Sequence, residues 1–204
     1  KTLYPIVKTA PNAVVDGVEY PQWLDLGGIG KGHCGDLIAE MLSEVTEEFL
    51  VDTGTSSQVF GKNVGGVSFK TELIDPYDYN AAYPQALLSL NLSDVAISTS
   101  GLYVRNYVTN GTRYTHILNC KTGKPVTGGA ESATVLLPKG SFAAAKSDCL
   151  STVICTMSAV EIASVASFIE GVGGKLVVAY LTDGGVKQVL TTVSEDVIIS
   201  EGGS

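Results

Sequence analysis

Four glycines surround one lysine in Leu24-Asp25-Leu26-Gly27-Gly28-Ile29-Gly30-Lys31-Gly32, where a short apolar run gives way to a helical pattern. Glycine lets the backbone turn sharply and approach a ligand closely. A helix N-terminus offers unpaired N–H groups and partial positive charge, and Lys31 adds a full one, so the stretch suits a phosphate or pyrophosphate. A plain glycine-rich turn with a solvated lysine has the same composition. Three further polar clusters sit where elements meet. Ser98-Thr99-Ser100-Gly101 closes a strand pattern and bunches hydroxyls with backbone donors, as a phosphate or ribose site or as an ordinary turn. His116 lies on the second strand of a hairpin pattern, ahead of Asn119-Cys120-Lys121-Thr122-Gly123-Lys124-Pro125; such a histidine serves structure or proton transfer. Asp148 and Thr152 stand four apart in a helical run, which puts a carboxylate and a hydroxyl on one face. That oxygen pair suits Mg²⁺, which takes few protein ligands and keeps waters or phosphate oxygens, and it equally suits a helix cap.

The elements that must position these clusters read as follows. Residues 1–23 are irregular, with three prolines and an Asp16-Gly17 turn signal. A helix pattern runs from Gly32 to about Glu48, with Leu37, Ile38, Met41, Leu42, Val45 and Phe49 on one apolar face taken as core. Phe49 to Val51 reads as a buried strand leading into the small-residue loop Asp52-Thr53-Gly54-Thr55-Ser56-Ser57. Gly65-Gly66 separates two short strand patterns, and another strand covers Val95 to Thr99. Tyr103 to Val108 and Arg113 to Leu118 flank Asn110-Gly111, a hairpin signal. Ala133 to Leu137 is a strand stopped by Pro138. Helical pattern occupies Phe142 to Ser158 and continues or restarts through Ile169 before Gly171. Lys175 to Leu181 and Val186 to Val193 form a last hairpin about Asp183-Gly184-Gly185. Hairpins mixed with helices predict an α+β fold in a single domain, residues 1–204.

Composition narrows the partners. The chain has 204 residues, 45% hydrophobic and 17% charged, with a net charge of −8 and no basic stripe, which argues against nucleic acid. No apolar run reaches the roughly 18 residues of a membrane span. Cys34, Cys120, Cys149 and Cys155 form no CxxC pair, and His33 and His116 are the two histidines, so neither a zinc site nor a disulfide framework is expected.

In order, the chain reads LDLGGIGKG, VDTGTSS, STSGLY, RYTHILNCKTGKPV and SDCLST. That succession resembles the ApbE family, the FAD:protein FMN transferases, whose pattern is LDLGxxAKG, VDxGGN, TSGxY, a His-Ile followed by an xPxTGxPV-like segment, and DAxST. The resemblance covers about residues 24–157 by motif. It departs at Thr55-Ser56, which replace the second glycine and the asparagine of VDxGGN, at Asn119-Cys120 in place of Asp-Pro, and at Gly30 in place of alanine. It implies an ApbE-like, T-fold-type domain lacking much of the usual N-terminal portion, so that this chain would be the C-terminal larger part of a longer one. It implies an enzyme that uses Mg²⁺ to move FMN from FAD onto a threonine hydroxyl of a target flavoprotein and release AMP. Hydrolysis of FAD to FMN and AMP, or flavin binding without catalysis, are the alternatives. Carried onto this sequence, Gly28 (through its carbonyl), Asp148 and Thr152 would hold the metal. Gly28, Lys31, Asp36, Ser98, Thr99, Ser100, Gly101 and His116 would meet the cofactor. His116 and Asp148 would be catalytic, with His116 near the reacting phosphate. Many relatives are lipid-anchored outside the bacterial cytoplasmic membrane, so the same placement, through a lipidated N-terminus, is expected.

Overall fold

A computed structural model describes residues 12–54, 56–182 and 184–198. In chain order the strands and helices are β1 (Asn12–Val15), β2 (Val18–Pro21), α1 (Gly30–Ser43), β3 (Leu50–Asp52), β4 (Ser57–Phe60), β5 (Phe69–Ile74), β6 (Ala86–Leu92), β7 (Val95–Gly101), β8 (Asn106–Thr109), β9 (Thr112–Thr115), β10 (Leu118–Asn119), β11 (Lys124–Pro125), β12 (Ala130–Pro138), α2 (Ala143–Ile154), α3 (Ala159–Gly171), β13 (Lys175–Leu181) and β14 (Lys187–Thr191). The α+β class is what the sequence predicts. Six strands form one antiparallel sheet in the order β14-β13-β12-β7-β4-β3. The three helices cover one face: α1 lies over β3 and β4, α2 over β7 and β12, and α3 over β13. The β5–β6 hairpin covers the other, burying Leu73, Leu90 and Leu92 against Phe60, Ile97, Leu136 and Val177. Because both faces are covered, the central strand β12 is buried from Ala130 to Leu137, and its run of small and apolar residues carries no alternation.

Several elements differ from the sequence reading. Residues 12–21 are not irregular: they make the β1–β2 hairpin, turned by Asp16 and Gly17 at φ of 52° and 78°, while residues 1–11 lie outside the described residues. Thr55 and Asp183 of the two loops named above also lie outside them. The strand expected from Tyr103 begins only at Asn106, whose side-chain amide donates to the carbonyls of Leu102 and Tyr103 and holds the preceding chain in a turn. The second helical stretch is two helices. Ser158 breaks it with extended backbone and a capping box with Glu161, whose carboxyl is held below its usual range by the Ser158 N–H and hydroxyl.

The largest difference is in α1. The predicted apolar face is its outer face: Leu37, Ile38, Met41 and Val45 are exposed, Met41 at 71% and Val45 at 80%. Of that set only Leu42 and Phe49 join the core. The buried side is the small-residue stripe Gly32, Gly35 and Ala39. Small residues let α1 approach α2 until a Cβ on Gly32 would stand 2.2 Å from the Ala144 carbonyl oxygen. Large side chains on that side would hold the helices apart, so hydrophobic periodicity picks out the wrong face.

Two substitutions separate these faces. Gly32→Ala is expected to cost about 3 kcal/mol, because the clash is with backbone. Met41→Glu is expected to change stability by no more than about 0.5 kcal/mol. Urea unfolding of the two variants checks both, and the reverse order would restore the predicted core face.

Candidate functional site

Neither α1 nor α2 supplies its own N-terminal cap. Ile29 precedes α1 with no side-chain acceptor, and Phe142, at φ of 57°, precedes α2 with none. Each helix is capped by a carboxylate of the other. Asp36 of α1 accepts the Ala144 and Ala145 N–H groups at 2.9 and 2.8 Å. Asp148 of α2, 2% exposed, accepts the Gly32 N–H at 2.9 Å through Oδ2. Each carboxylate also sits at the positive end of the opposing helix dipole. Both Asp36 oxygens are thus engaged at the start of α2.

Asp148 keeps a second oxygen. Its Oδ1 stands 3.6 Å from Lys31 Nζ, which also donates to the Gly27 carbonyl at 3.3 Å. One turn along α2, Thr152 Oγ1 and Ser151 Oγ donate to the Asp148 carbonyl at 3.1 and 3.0 Å. Ser100 Oγ, at the end of β7, lies 2.9 Å from each of those hydroxyls. The Gly28 backbone packs on Thr152, where a Cβ would be 3.5 Å from Oγ1. The fold thus brings Gly28, Lys31, Asp148, Thr152 and Ser100 together from three distant stretches.

The rest of the Ser98–Gly101 cluster divides. Ser98, buried, bonds Ser57 at 2.8 Å inside the sheet. Thr99, on the opposite side of β7 from Ser100, pairs with Thr134 at 2.8 Å. Gly101 leaves room for Tyr103, whose ring a Cβ would meet at 2.2 Å. Tyr103 packs edge-on against Tyr79 with centroids 4.9 Å apart, and burial raises its hydroxyl pKa. This aromatic wall beside Ser100 is not among the predicted site residues, although Tyr103 stands in STSGLY. Tyr79, from the β5–β6 loop, carries no local signal.

His116 follows β9. Its imidazole is exposed and its Nδ1 lies 3.1 Å from the Arg105 carbonyl oxygen. A carbonyl only accepts, so Nδ1 bears the hydrogen and Nε2 keeps a lone pair. Among the described residues no hydrogen bond or ion pair joins His116 to Asp148 or Thr152 directly. The β8–β9 hairpin that leads into it pairs with no other strand. It is tied down by Arg113, whose two terminal nitrogens reach both Glu131 carboxylate oxygens at 2.6 and 2.7 Å. Glu131 sits where the β12 register shifts, which aims its buried side chain at the hairpin. The hydrogen bond to Glu131 raises the Arg113 pKa. Tyr77, with a buried and unpartnered hydroxyl, is pushed up to about 12 by burial and then by Glu131. Nothing in the sequence marks the Arg113–Glu131 pair.

The donor set at Asp148 fits Mg²⁺. It is all oxygen, with one carboxylate and one hydroxyl beside the Gly28 backbone, and an ammonium already stands beside it. Among the described residues no three His, Cys, Asp or Glu side chains cluster as a metal cage.

Comparison with known proteins gives the family and the fold. The ApbE family profile matches residues 15–174. The chain belongs to the ApbE family. It is 31% identical over 117 residues to a FAD:protein FMN transferase of Salmonella typhimurium, covering 57% of this chain and 33% of that protein. A FAD:protein FMN transferase of Treponema pallidum is 29% identical over 129 residues. The crystal structure of an ApbE protein from Thermotoga maritima superposes with a TM-score of 0.66 at 28% identity, over 85% of this chain and 52% of that one. A Pseudomonas stutzeri flavinyl transferase shares the fold at a TM-score of 0.62 and 19% identity. The chain therefore spans about a third of the first curated relative's length and about half of the solved structures it matches.

All four cysteines are free. Burial, then the Glu131 charge, push the Cys155 thiol up to about 12, and it donates to the Ser100 carbonyl at 3.5 Å. Iodoacetamide at pH 8 is expected to label exposed Cys34 and Cys120 and to spare Cys155 in the folded protein, read by peptide mass spectrometry. Arg113→Ala, which strands the buried Glu131, is expected to lower stability by about 2 kcal/mol in urea unfolding.

Proposed function

We propose that this ApbE-family chain carries the phosphate- and metal-binding half of an Mg²⁺-dependent transfer of FMN from FAD to a threonine of a target protein. The supporting observation is the convergence of Asp148, Thr152, the Gly28 backbone and Lys31 at one helix junction. In this reading Asp148 Oδ1, Thr152 Oγ1 and the Gly28 carbonyl hold the cation. Bound there, Mg²⁺ would neutralise the pyrophosphate and stabilise the leaving phosphate. Lys31 pairs with a phosphate oxygen, and the Ser100–Ser151–Thr152 hydroxyls fix the orientation of the metal-binding threonine.

Phosphoryl transfer asks the protein chiefly for alignment and charge neutralisation. The acceptor oxygen bonds to the phosphorus of the FMN half. The P–O bond to AMP breaks, and AMP departs with that bond's electron pair. The acceptor hydroxyl proton passes to His116 Nε2, the nitrogen left free by the Arg105 contact. Water in place of the threonine would give FMN and AMP.

Three measurements test this. FAD, Mg²⁺ and a threonine-bearing acceptor domain are expected to give covalent flavin on the acceptor and one AMP per transfer, by intact mass and nucleotide chromatography; EDTA abolishes both. Asp148→Asn keeps an acceptor for the Gly32 N–H and removes the charge, so it folds and loses at least ~100-fold in rate. His116→Ala loses ~100-fold or more; a rate equal to the parent's removes the histidine from the reaction. AMP and FMN without an adduct would assign the chain to hydrolysis.

A further inference from the structure

A cleft of about 670 Å³ opens between the β9–β11 region and the turn that ends α2, lined by Tyr114, Asn119, Lys124, Gly128, Thr156 and their neighbours. That volume lies within the roughly 300–1,000 Å³ of small-ligand sites. Thr156, in the turn that follows α2, stands four residues beyond Thr152, so the chain passes from that proposed metal ligand to the cleft within about one turn. His116 lies in the chain between Tyr114 and Asn119 of the lining, and the N–H of Val126, also in the lining, donates to the carbonyl of its neighbour Ile117 at 2.9 Å. The cleft therefore borders the chain on either side of His116 and the turn that follows the helix carrying Thr152.

Its chemistry differs from that of a ring-binding slot. Hydroxyl-bearing residues make up half of the lining, Asn119 adds an amide, and Lys124 is the one charged side chain. Tyr114 is the one aromatic group in the lining, and its ring is stacked on Tyr107 with centroids 5.3 Å apart. Hydroxyls, an amide and the exposed Thr127-Gly128 backbone suit a partner with alternating donors and acceptors along its length, which is what an extended polypeptide presents.

We infer that this cleft binds the acceptor segment of the target protein, as an extended peptide that delivers its hydroxyl between His116 and Thr152. The inference rests on the transferase reading above. It accounts for features that dinucleotide binding leaves unused: the open threonine-lined floor, the Lys124 charge, which favours an acidic neighbour of the acceptor hydroxyl, and a hairpin held to the sheet by Arg113 and Glu131.

Gly128 supplies the test. A Cβ there meets nothing within 4 Å and the residue is not at positive φ, so a large side chain can fill the cleft without displacing the fold. Parent protein and Gly128→Phe are each given FAD, Mg²⁺ and a pool of dodecapeptides with one central threonine among varied neighbours. FAD affinity is read by flavin fluorescence, AMP release by chromatography without peptide, and flavin-labelled peptide by mass. The expected result is FAD affinity and peptide-free AMP release within about twofold of the parent, with peptide labelling at least tenfold lower. A parallel fall in FAD affinity would overturn the proposal by assigning the cleft to the dinucleotide, and undiminished labelling would overturn it by showing the cleft idle. A parent that binds FAD but neither releases AMP nor labels peptide fails the transferase reading, and the acceptor cleft with it.

Discussion

The exchange of carboxylates between α1 and α2, each set in the second turn of its own helix and bonded to the first turn of the other, is the constraint on which the rest of this structure depends. Asp36 caps α2, and Asp148 accepts from the start of α1. Each helix begins with backbone donors that would otherwise be orphaned on burial, and a buried unpaired donor costs about 1–3 kcal/mol. The exchange fixes the two N-termini side by side. It also requires close approach, which is why Gly32 has no room for a side chain and why the small-residue stripe of α1 faces inward.

Structure and chemistry share that junction. Asp148 uses one oxygen to hold α1 and presents the other beside Lys31. A carboxylate whose position is set by the fold needs little reorganisation when a cation or phosphate arrives, which is the preorganisation that charge-stabilising sites require. Thr152 is oriented in the same way, through the Asp148 carbonyl and the Ser100 hydroxyl. The second structural device, the Arg113 fork on Glu131, ties the hairpin before His116 to the central strand β12. One device thus holds Asp148 beside Lys31, and the other the strand leading to His116.

Much of the fold is legible in the sequence because it is written locally. Asn110-Gly111 turns β8 into β9, Pro138 stops β12, and Gly184-Gly185 belongs to the last turn. The glycine–lysine loop, Ser100, Asp148 and Thr152 stand out by residue type and spacing, and they do converge. Ser98 and Thr99 share the Ser100 motif but not its destination. Strand alternation sends Thr99 to the other side of the sheet, and a buried partner, Ser57, absorbs Ser98.

What the sequence determines by itself is most of the elements and turns, the family and the short list of polar residues, since each is encoded within a few residues of chain. What only the tertiary structure decides is which face of α1 is buried, that Asp36 is a cap for α2, that Tyr79 stands against Tyr103, and that Glu131 anchors the strand leading to His116. These depend on partners 18 or more residues away in the chain. The physical reason is that periodicity reports how apolar a face is, not how closely another helix can approach it. At α1 that approach, bounded by the Ala144 backbone and satisfied by two carboxylates, outweighs the gain from burying Leu37, Ile38 and Met41.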